Sequence, residues 1–580
     1  MNRKQRRATL KAGPPAAAHD SHSRDVSKLF VAAAESERAG KLNDAARLYK
    51  RVLQFKPDHA EACNNLGRIL QAQGKSADAS FYFARALALM PQLLNQYSTI
   101  CATLVALLPS LGEALRHQSA VWPKRLTESE LFGDAGVGAI ATNPLLLKLM
   151  QSTPVQDIAF ERLLTSLRLS MLKRADSPTK IPDADLSFVC ALAKQCFINE
   201  YIFASTGEED ERVDLLTRTI EEAGASGVTP RQLVTLALYR PLHVLVCAGE
   251  FLDRRWSRAI DDVLTQQIRE PARERELRDS IPRLTPIADE VSQRVQKQYE
   301  ENPYPRWVHV AREQTQIPLD QYLREQFPAS AFTPLGKSEA IDMLIAGCGT
   351  GQVAIASVQK YSGAHALAID LSLSSLCYAK RSTPAKLASR IDYAQADILK
   401  LASIGRSFDV IDASGVLHHM ADPLEGWRIL LSVLRPGGLM HLGLYSEAGR
   451  KDVVAARAFI AERGYGESAD DIRRCRQDIL RLEQGSAVRN VTKYADFFTI
   501  SECRDLLFHV QEQQLSIPEI AAFLRAHGLA FLGFTGPATR GYRARFPADA
   551  AMTDLDQWHA FETENPTAFA GMYQFWVQKA

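Results

Sequence analysis

The feature that most constrains this chain is a short apolar run, Ile341-Asp-Met-Leu-Ile345, that passes directly into Ala346-Gly-Cys-Gly-Thr-Gly351 and then into Val353-Ala-Ile-Ala-Ser-Val358. The first segment suits a buried parallel strand and the last a helix. The glycines between them let the backbone turn tightly and approach a nucleotide-like ligand at the carboxyl end of the strand. Spacing narrows the choice of ligand. A dinucleotide fingerprint G-x-G-x-x-G starting at Gly347 needs glycine at position 352, where the chain has Gln352, so NAD is disfavoured. The G-x-G-x-G pattern of Gly347, Gly349 and Gly351 suits a ligand with no pyrophosphate to cradle.

A second run, His365-Ala-Leu-Ala-Ile369, ends in Asp370, nineteen residues past Gly351, close to the separation at which an acid reaches ribose hydroxyls. A third, Ile391-Asp-Tyr-Ala-Gln-Ala396, delivers Asp397, whose carboxylate can accept a hydrogen bond from an adenine amino group. Either acid alone reads equally well as a helix N-cap. Together with the glycines they read as one nucleoside site. Phe408-Asp-Val-Ile-Asp-Ala-Ser414 forms the fourth run, and Leu439-Met-His-Leu-Gly-Leu444 the fifth, after the turn Leu434-Arg-Pro-Gly-Gly438. Strands that alternate with helices in this way imply a right-handed, doubly wound α/β sheet.

These residues resemble class I S-adenosylmethionine-dependent methyltransferases. Ala346 to Gly351, Asp370, Asp397, the Gly415-Val-Leu-His-His419 loop and Leu434 to Gly438 stand where that family has its successive motifs, and the similarity is strong over 330–446. It implies a Rossmann-like seven-stranded domain with S-adenosylmethionine as cofactor and no metal. The cofactor-binding residues implied are Ala346, Gly347, Cys348, Gly349, Gly351, Asp370, Leu371, Asp397, Ile398 and Ser414. In such proteins the glycine loop faces the methionine end, the first acid the ribose, the second the adenine, and the loop from Ser414 to His419 the methyl acceptor. His418 or His419 is then expected to be the catalytic base or to orient the substrate, since histidine can take a proton from a hydroxyl or amine near neutral pH.

Ahead of this domain lies a repeat. Gly40, Ala45, Tyr49 and Pro57 recur 34 residues later as Gly74, Ala79, Phe83 and Pro91, the period of tetratricopeptide helix pairs. Small alanines stand where paired helices cross, aromatics fill the gap, and proline ends each unit. Two clear units are fewer than a free-standing solenoid needs, so 93–115 is expected to supply a third helical pair. The repeats read either as a groove for a polypeptide or as a packing module. Apolar residues then recur at helical spacing over 126–298, as in Leu145-Leu-Leu-Lys-Leu-Met150, so an all-helical middle domain follows. Asn199, Glu200, Tyr201 and His243 are polar residues in apolar surroundings there, and satisfied core positions are the commoner explanation. Tyr299-Glu-Glu-Asn-Pro-Tyr-Pro-Arg-Trp307 marks a joint that two prolines keep from being regular helix. The order of repeats, helical region, joint and methyltransferase-like domain is similar to that of a family of bacterial fusion proteins.

The expected organisation is a basic, disordered tail over 1–24, tetratricopeptide helices over 25–125, the helical middle over 126–298 and the α/β domain over 299–580, with a charged helical insertion near 450–515 that caps the site. Strand six is expected over 528–534 and strand seven over 571–577. Within the insertion, Ser501-Glu-Cys-Arg-Asp505 with His509 and Glu512 reads either as the wall of an acceptor pocket or as a solvated helix face. The run 86–112 is interrupted by Pro91, Gln92, Asn95, Gln96 and Pro109 and is not expected to span a membrane. Nine scattered cysteines without a C-x-x-C pair, and no signal-peptide pattern, fit a reducing cytoplasm.

Composition bounds the acceptor. A net charge of +2 gives no sign of a nucleic-acid specialist. The loop Ser414-Gly-Val-Leu417 has neither the Asn/Asp-Pro-Pro-Tyr/Phe pattern of base-amine enzymes nor the Pro-Cys pair of cytosine-C5 enzymes. The expectation is an enzyme that methylates a protein presented by the repeats or a small molecule. Its alternative is a scaffold that binds the cofactor without turning over.

Overall fold

The computed structural model describes residues 16–310, 315–337 and 339–580. Most of the expected basic tail, residues 1–15, lies outside them, while Ala16–Arg38 is a helix. The described residues cluster into two compact units, one within Met1–Gln195 and one within Cys196–Ala580.

The first unit is all helical. Leu42–Phe55, Ala60–Ala72 and Ser76–Leu89 follow the opening helix in antiparallel succession. Gly40 and Gly74, one per repeat, both take positive φ, +73° and +72°, to end one helix and admit the next. Ala45 and Ala79 are fully buried, as the crossing positions require, and Tyr49 is buried beside them. Phe83 presses its ring on Gly67, where a Cβ would stand 2.9 Å away. Tyr97–Leu107 and Pro109–Val121 then continue the array, bent by 110° at Pro109. No single helix among the described residues is long and apolar enough to cross a membrane.

The second unit opens on helices and ends on a seven-stranded sheet. Its strands are β1 Ile341–Ala346, β2 Ala364–Asp370, β3 Ile391–Gln395, β4 Phe408–Ser414, β5 Leu434–Leu444, β6 Leu529–Phe534 and β7 Tyr573–Lys579. They lie in the order β3-β2-β1-β4-β5-β7-β6. β1 to β5 pair in parallel and β7 runs antiparallel to both β5 and β6. Because helices cover both faces, the strands read as near-continuous apolar runs. Alternate residues feed two cores: Leu344 and Ala346 pack on one side, Ile341, Met343 and Ile345 on the other. This is the Rossmann-like α/β architecture expected from the sequence, preceded by all-helical regions.

Boundaries differ in places. β5 runs through Arg435-Pro-Gly-Gly438, read above as a turn, and its pairing with β4 shifts register between Phe408 and Val410 to absorb that stretch. Strand seven falls at Tyr573–Lys579, two residues later than expected. The helix Glu290–Glu301 runs unbroken through the expected boundary between 298 and 299. The insertion folds as Lys451–Arg463, Ala469–Arg481, Ala487–Asn490 and Ile500–Phe508. Ile500–Phe508 is no solvated face: Ser501, Arg504 and Asp505 are all buried. Glu200 and Tyr201 hold φ of 57° and 61°. The Glu200 carboxylate accepts the Ser501 amide at 2.5 Å, so this polar pair serves packing within the second unit.

Candidate active site

In a doubly wound sheet, ligands bind beyond the carboxyl ends of the strands where the winding reverses. Here that point lies at β1, which has β2 on one side and β4 on the other. The chain leaves β1 through Gly347 and Gly349, with φ of +69° and +49°, before the helix Gln352–Lys360. A Cβ at Gly347 would overlap the Val416 side chain, and one at Gly349 would overlap the Tyr304 carbonyl oxygen. Both crowding and handedness therefore demand glycine. Tyr304 belongs to the joint seen in the sequence, which lies against the glycine turn: Thr350 donates its amide to the Tyr304 carbonyl at 3.2 Å and its hydroxyl to the Pro305 carbonyl.

Asp370, at the end of β2, clasps the same turn. Its carboxylate accepts the Gly349 amide at 2.8 Å and the Ser372 amide at 2.9 Å. Burial pushes this carboxyl up to about 6, against the pull of those amides and with the negative charge of Glu300 adding to the rise. Asp397 follows β3 and caps the short helical turn Ile398–Ile404, accepting the Leu399 amide at 2.9 Å through Oδ1. The N-cap and nucleoside readings thus coexist in one side chain. Oδ2 is buried and meets no donor in hydrogen-bond geometry among the described residues; the Ser292 side chain stands near enough to favour the charged form, but burial outweighs it and raises the carboxyl above the usual range. An orphaned buried carboxylate oxygen is costly unless a ligand donor meets it.

A cavity of about 300 Å³ opens over these groups. Of the cofactor residues expected from the sequence, Gly347, Cys348, Gly349, Asp370, Leu371, Asp397, Ile398 and Ser414 line it; Ala346 and Gly351 do not. Gly351 instead packs its Cα against Ala379, within the turn that the cavity rests on. The sequence did not reveal that Asp289, Ser292, Val295 and Tyr299, on the helix Glu290–Glu301, form another wall.

The two histidines expected to serve as base part company. His419 lines the cavity. His418 does not: it is 1% exposed, stacks on Tyr445 with centroids 3.7 Å apart, and has no partner for either ring nitrogen among the described residues. Burial holds its pKa well below the ordinary histidine value, and His418 stands outside the cavity that His419 lines. The short helical turn Leu417–His419 decides this, because adjacent side chains on it diverge.

The insertion supplies a further part of the cavity wall. Asp505 lines the cavity and accepts the Tyr299 hydroxyl at 2.5 Å. His509 stacks on His419 at 3.7 Å, and Tyr299 lies 3.1 Å from His509 Nε2. Nearby, Arg450 is taken by Glu512 at 2.6 Å, both almost wholly buried, and the guanidinium lies 3.7 Å from the Tyr445 ring centroid. A second hollow of about 430 Å³ shares Tyr304, Tyr445, Met572 and Gln574 with the first, and Tyr494 and Asp496 of the insertion line it. The pocket-wall reading of the insertion holds for Asp505, while Glu512 is spent on Arg450.

Comparison with known proteins agrees with this geometry. A family model described as a methyltransferase domain matches residues 344–440, and one described as a tetratricopeptide repeat matches 38–104. The chain is 29% identical over 259 residues to an uncharacterized protein of Synechococcus, covering 43% of this chain and 61% of that one. It is 34% identical over 108 residues to a demethylmenaquinone methyltransferase of Clavibacter sepedonicus, covering 19% of this chain and 41% of that one. The chain thus spans about three fifths and two fifths of the curated relatives it matches. Among solved structures, PKMT2 from Rickettsia typhi in complex with AdoHcy matches at 16% identity and a TM-score of 0.35, over 45% of this chain and 53% of that one. On the family matches and the sheet that carries them, the chain holds a methyltransferase domain of Rossmann-like architecture behind tetratricopeptide repeats.

Proposed function

We propose that the chain transfers a methyl group from S-adenosylmethionine to an acceptor admitted through the second hollow, and that the repeats engage a polypeptide. The observation that carries this reading is the pair of acids at the ends of β2 and β3. Asp397 keeps an unpaired oxygen in the cavity wall, and Asp370 keeps acceptor capacity beyond its two amides. Those residues fit a nucleoside: Asp370 would hold the ribose hydroxyls and Asp397 the adenine amino group, with Leu371 and Ile398 flanking the base. The glycine turn would bring its backbone against the amino-acid end. Ser414, at the end of β4, stands between cofactor and acceptor sides.

S-adenosylmethionine, when bound, supplies a methyl made electrophilic by its own sulfonium charge. The protein's tasks are to align the acceptor, to keep water out and to take up a proton. His419 is the base for that last task, since it faces the cavity while His418 does not.

The test is transfer of label from methyl-labelled S-adenosylmethionine into extract of the source cells, followed by separation of macromolecules from small metabolites. Label in either fraction that falls at least tenfold with Asp370→Ala is the expected result. Label on protein would make the repeats a substrate-presenting arm. Cofactor binding without any transfer would contradict the enzyme reading in favour of a scaffold.

A further inference from the structure

His419, Asp505 and His509 bring their ligand-type atoms within 4.8 Å of one another, all three buried. Such a trio is a metal site or a proton device, and the backbone of Gln511 distinguishes the two. Its carbonyl oxygen lies 3.0 Å from His419 Nδ1, so that nitrogen carries the proton and Nε2 the lone pair. Its amide N–H donates to His509 Nδ1 at 3.0 Å, so in that ring Nδ1 holds the lone pair and Nε2 the proton. One residue sets two stacked imidazoles in opposite tautomers. A metal needs the lone pair of Nε2 from both rings, and His509 does not offer it.

The remaining hydrogens then have one consistent order. His509 Nε2–H donates to the Tyr299 oxygen at 3.1 Å, and the Tyr299 hydroxyl donates to Asp505 Oδ1 at 2.5 Å. His419 Nε2 stands 3.9 Å from that same oxygen. A proton arriving on His419 therefore comes to rest beside a carboxylate held in place by a tyrosine that is itself held by a histidine. The positive charge of Arg450 also acts on Asp505, but its guanidinium is bonded to Glu512.

We propose that Asp505, Tyr299 and His509 are positioning residues that keep His419 a base with its lone pair toward the cavity, so that the acceptor is an atom that gives up a proton on methylation, such as a hydroxyl, an amine or an activated carbon. This deepens the methyl-transfer reading and rests on it. The balance is one acceptor–hydrogen bond broken with its proton passed to His419 Nε2, one acceptor–carbon bond formed, and one carbon–sulfur bond broken, with S-adenosylhomocysteine leaving. A thioether or a tertiary amine, which has no proton to give up, would leave this arrangement without a purpose.

Two measurements on the full chain test it. With [15N]histidine incorporated, and signals assigned through His419→Gln and His509→Gln, the nitrogen shifts should show Nδ1–H for His419 and Nε2–H for His509. Equal tautomers, or stoichiometric zinc binding that needs all three residues, would overturn the proposal. This readout needs neither cofactor nor acceptor, so it stands apart from failure of the methyl-transfer reading, which loss of S-adenosylmethionine binding would report. With cell extract as the acceptor source, the labelled product should carry its new methyl on an atom that has lost a proton, as an O-methyl, N-methyl or C-methyl group. Asp505→Asn should lower kcat at least tenfold while the KM for S-adenosylmethionine changes less than threefold, and Asp505→Glu should recover part of the loss. A sulfonium or quaternary ammonium product, an unchanged kcat in Asp505→Asn, or intact cofactor binding with no transfer at all would overturn it.

Discussion

Asp370 is where one side chain governs how the cavity meets its ligand. Burial raises its carboxyl from 3.8 to about 6, so the folded chain binds this proton more tightly than the unfolded chain does. Its contribution to stability therefore falls as pH rises from about 4 to about 6 and is level above that. Ribose hydroxyls donate to the ionised form, so cofactor affinity has the opposite slope. We expect the affinity for S-adenosylmethionine to fall by about tenfold for each pH unit below 6 and to be flat above 7. Calorimetric titration from pH 5 to 8 measures it, and Asp370→Asn should weaken binding while removing the slope. A slope that persists in that variant would assign it to another group.

At the scale of elements, the turn after β1 works because two other segments lean on it. Gly349 has a positive φ and abuts the Tyr304 carbonyl oxygen, so Gly349→Ala strains the turn and pushes the joint aside together. Loss of about 1–3 kcal/mol in stability is expected, with at least a tenfold weaker grip on S-adenosylmethionine; chemical denaturation and calorimetry would report the two separately. Wild-type affinity in that variant would mean that the turn does not contact the cofactor. The sequence made this turn legible, along with Asp370 and Asp397, because a strand, a glycine turn and two strand-end acids follow from local spacing. It offered the wall at Asp505 only as one of two readings and did not reveal its partner Tyr299. Tyr299 and Asp505 meet across 206 residues of chain, a pairing no periodicity encodes. One signal was present in Ile500–Phe508, where Ser501 and Asp505 stand four apart in a mostly apolar segment; polar groups on a buried stripe need partners. His418 and His419 could not be told apart because their divergence depends on a turn whose neighbours come from the insertion.

At the scale of the whole chain, the order of repeats, helical region and α/β sheet could be read from a 34-residue repeat, a 3.6-residue helical period and short near-continuous apolar runs, because each reports a different way of burying apolar surface. The compact units drawn by packing, within Met1–Gln195 and Cys196–Ala580, are less visible in sequence, since apolar helical patterning continues across their boundary without a Gly/Pro-rich linker. Every residue that lines the cavity belongs to the second unit, so the proposed cofactor chemistry is a property of that unit. The most direct measurement is calorimetric titration of S-adenosylmethionine into the full chain at pH 7.5, beside Asp397→Ala. The account predicts one site per chain, weakened by about 1–3 kcal/mol when the Asp397 carboxylate loses its role as acceptor. No binding to the wild-type chain, or equal affinity in the variant, would contradict it.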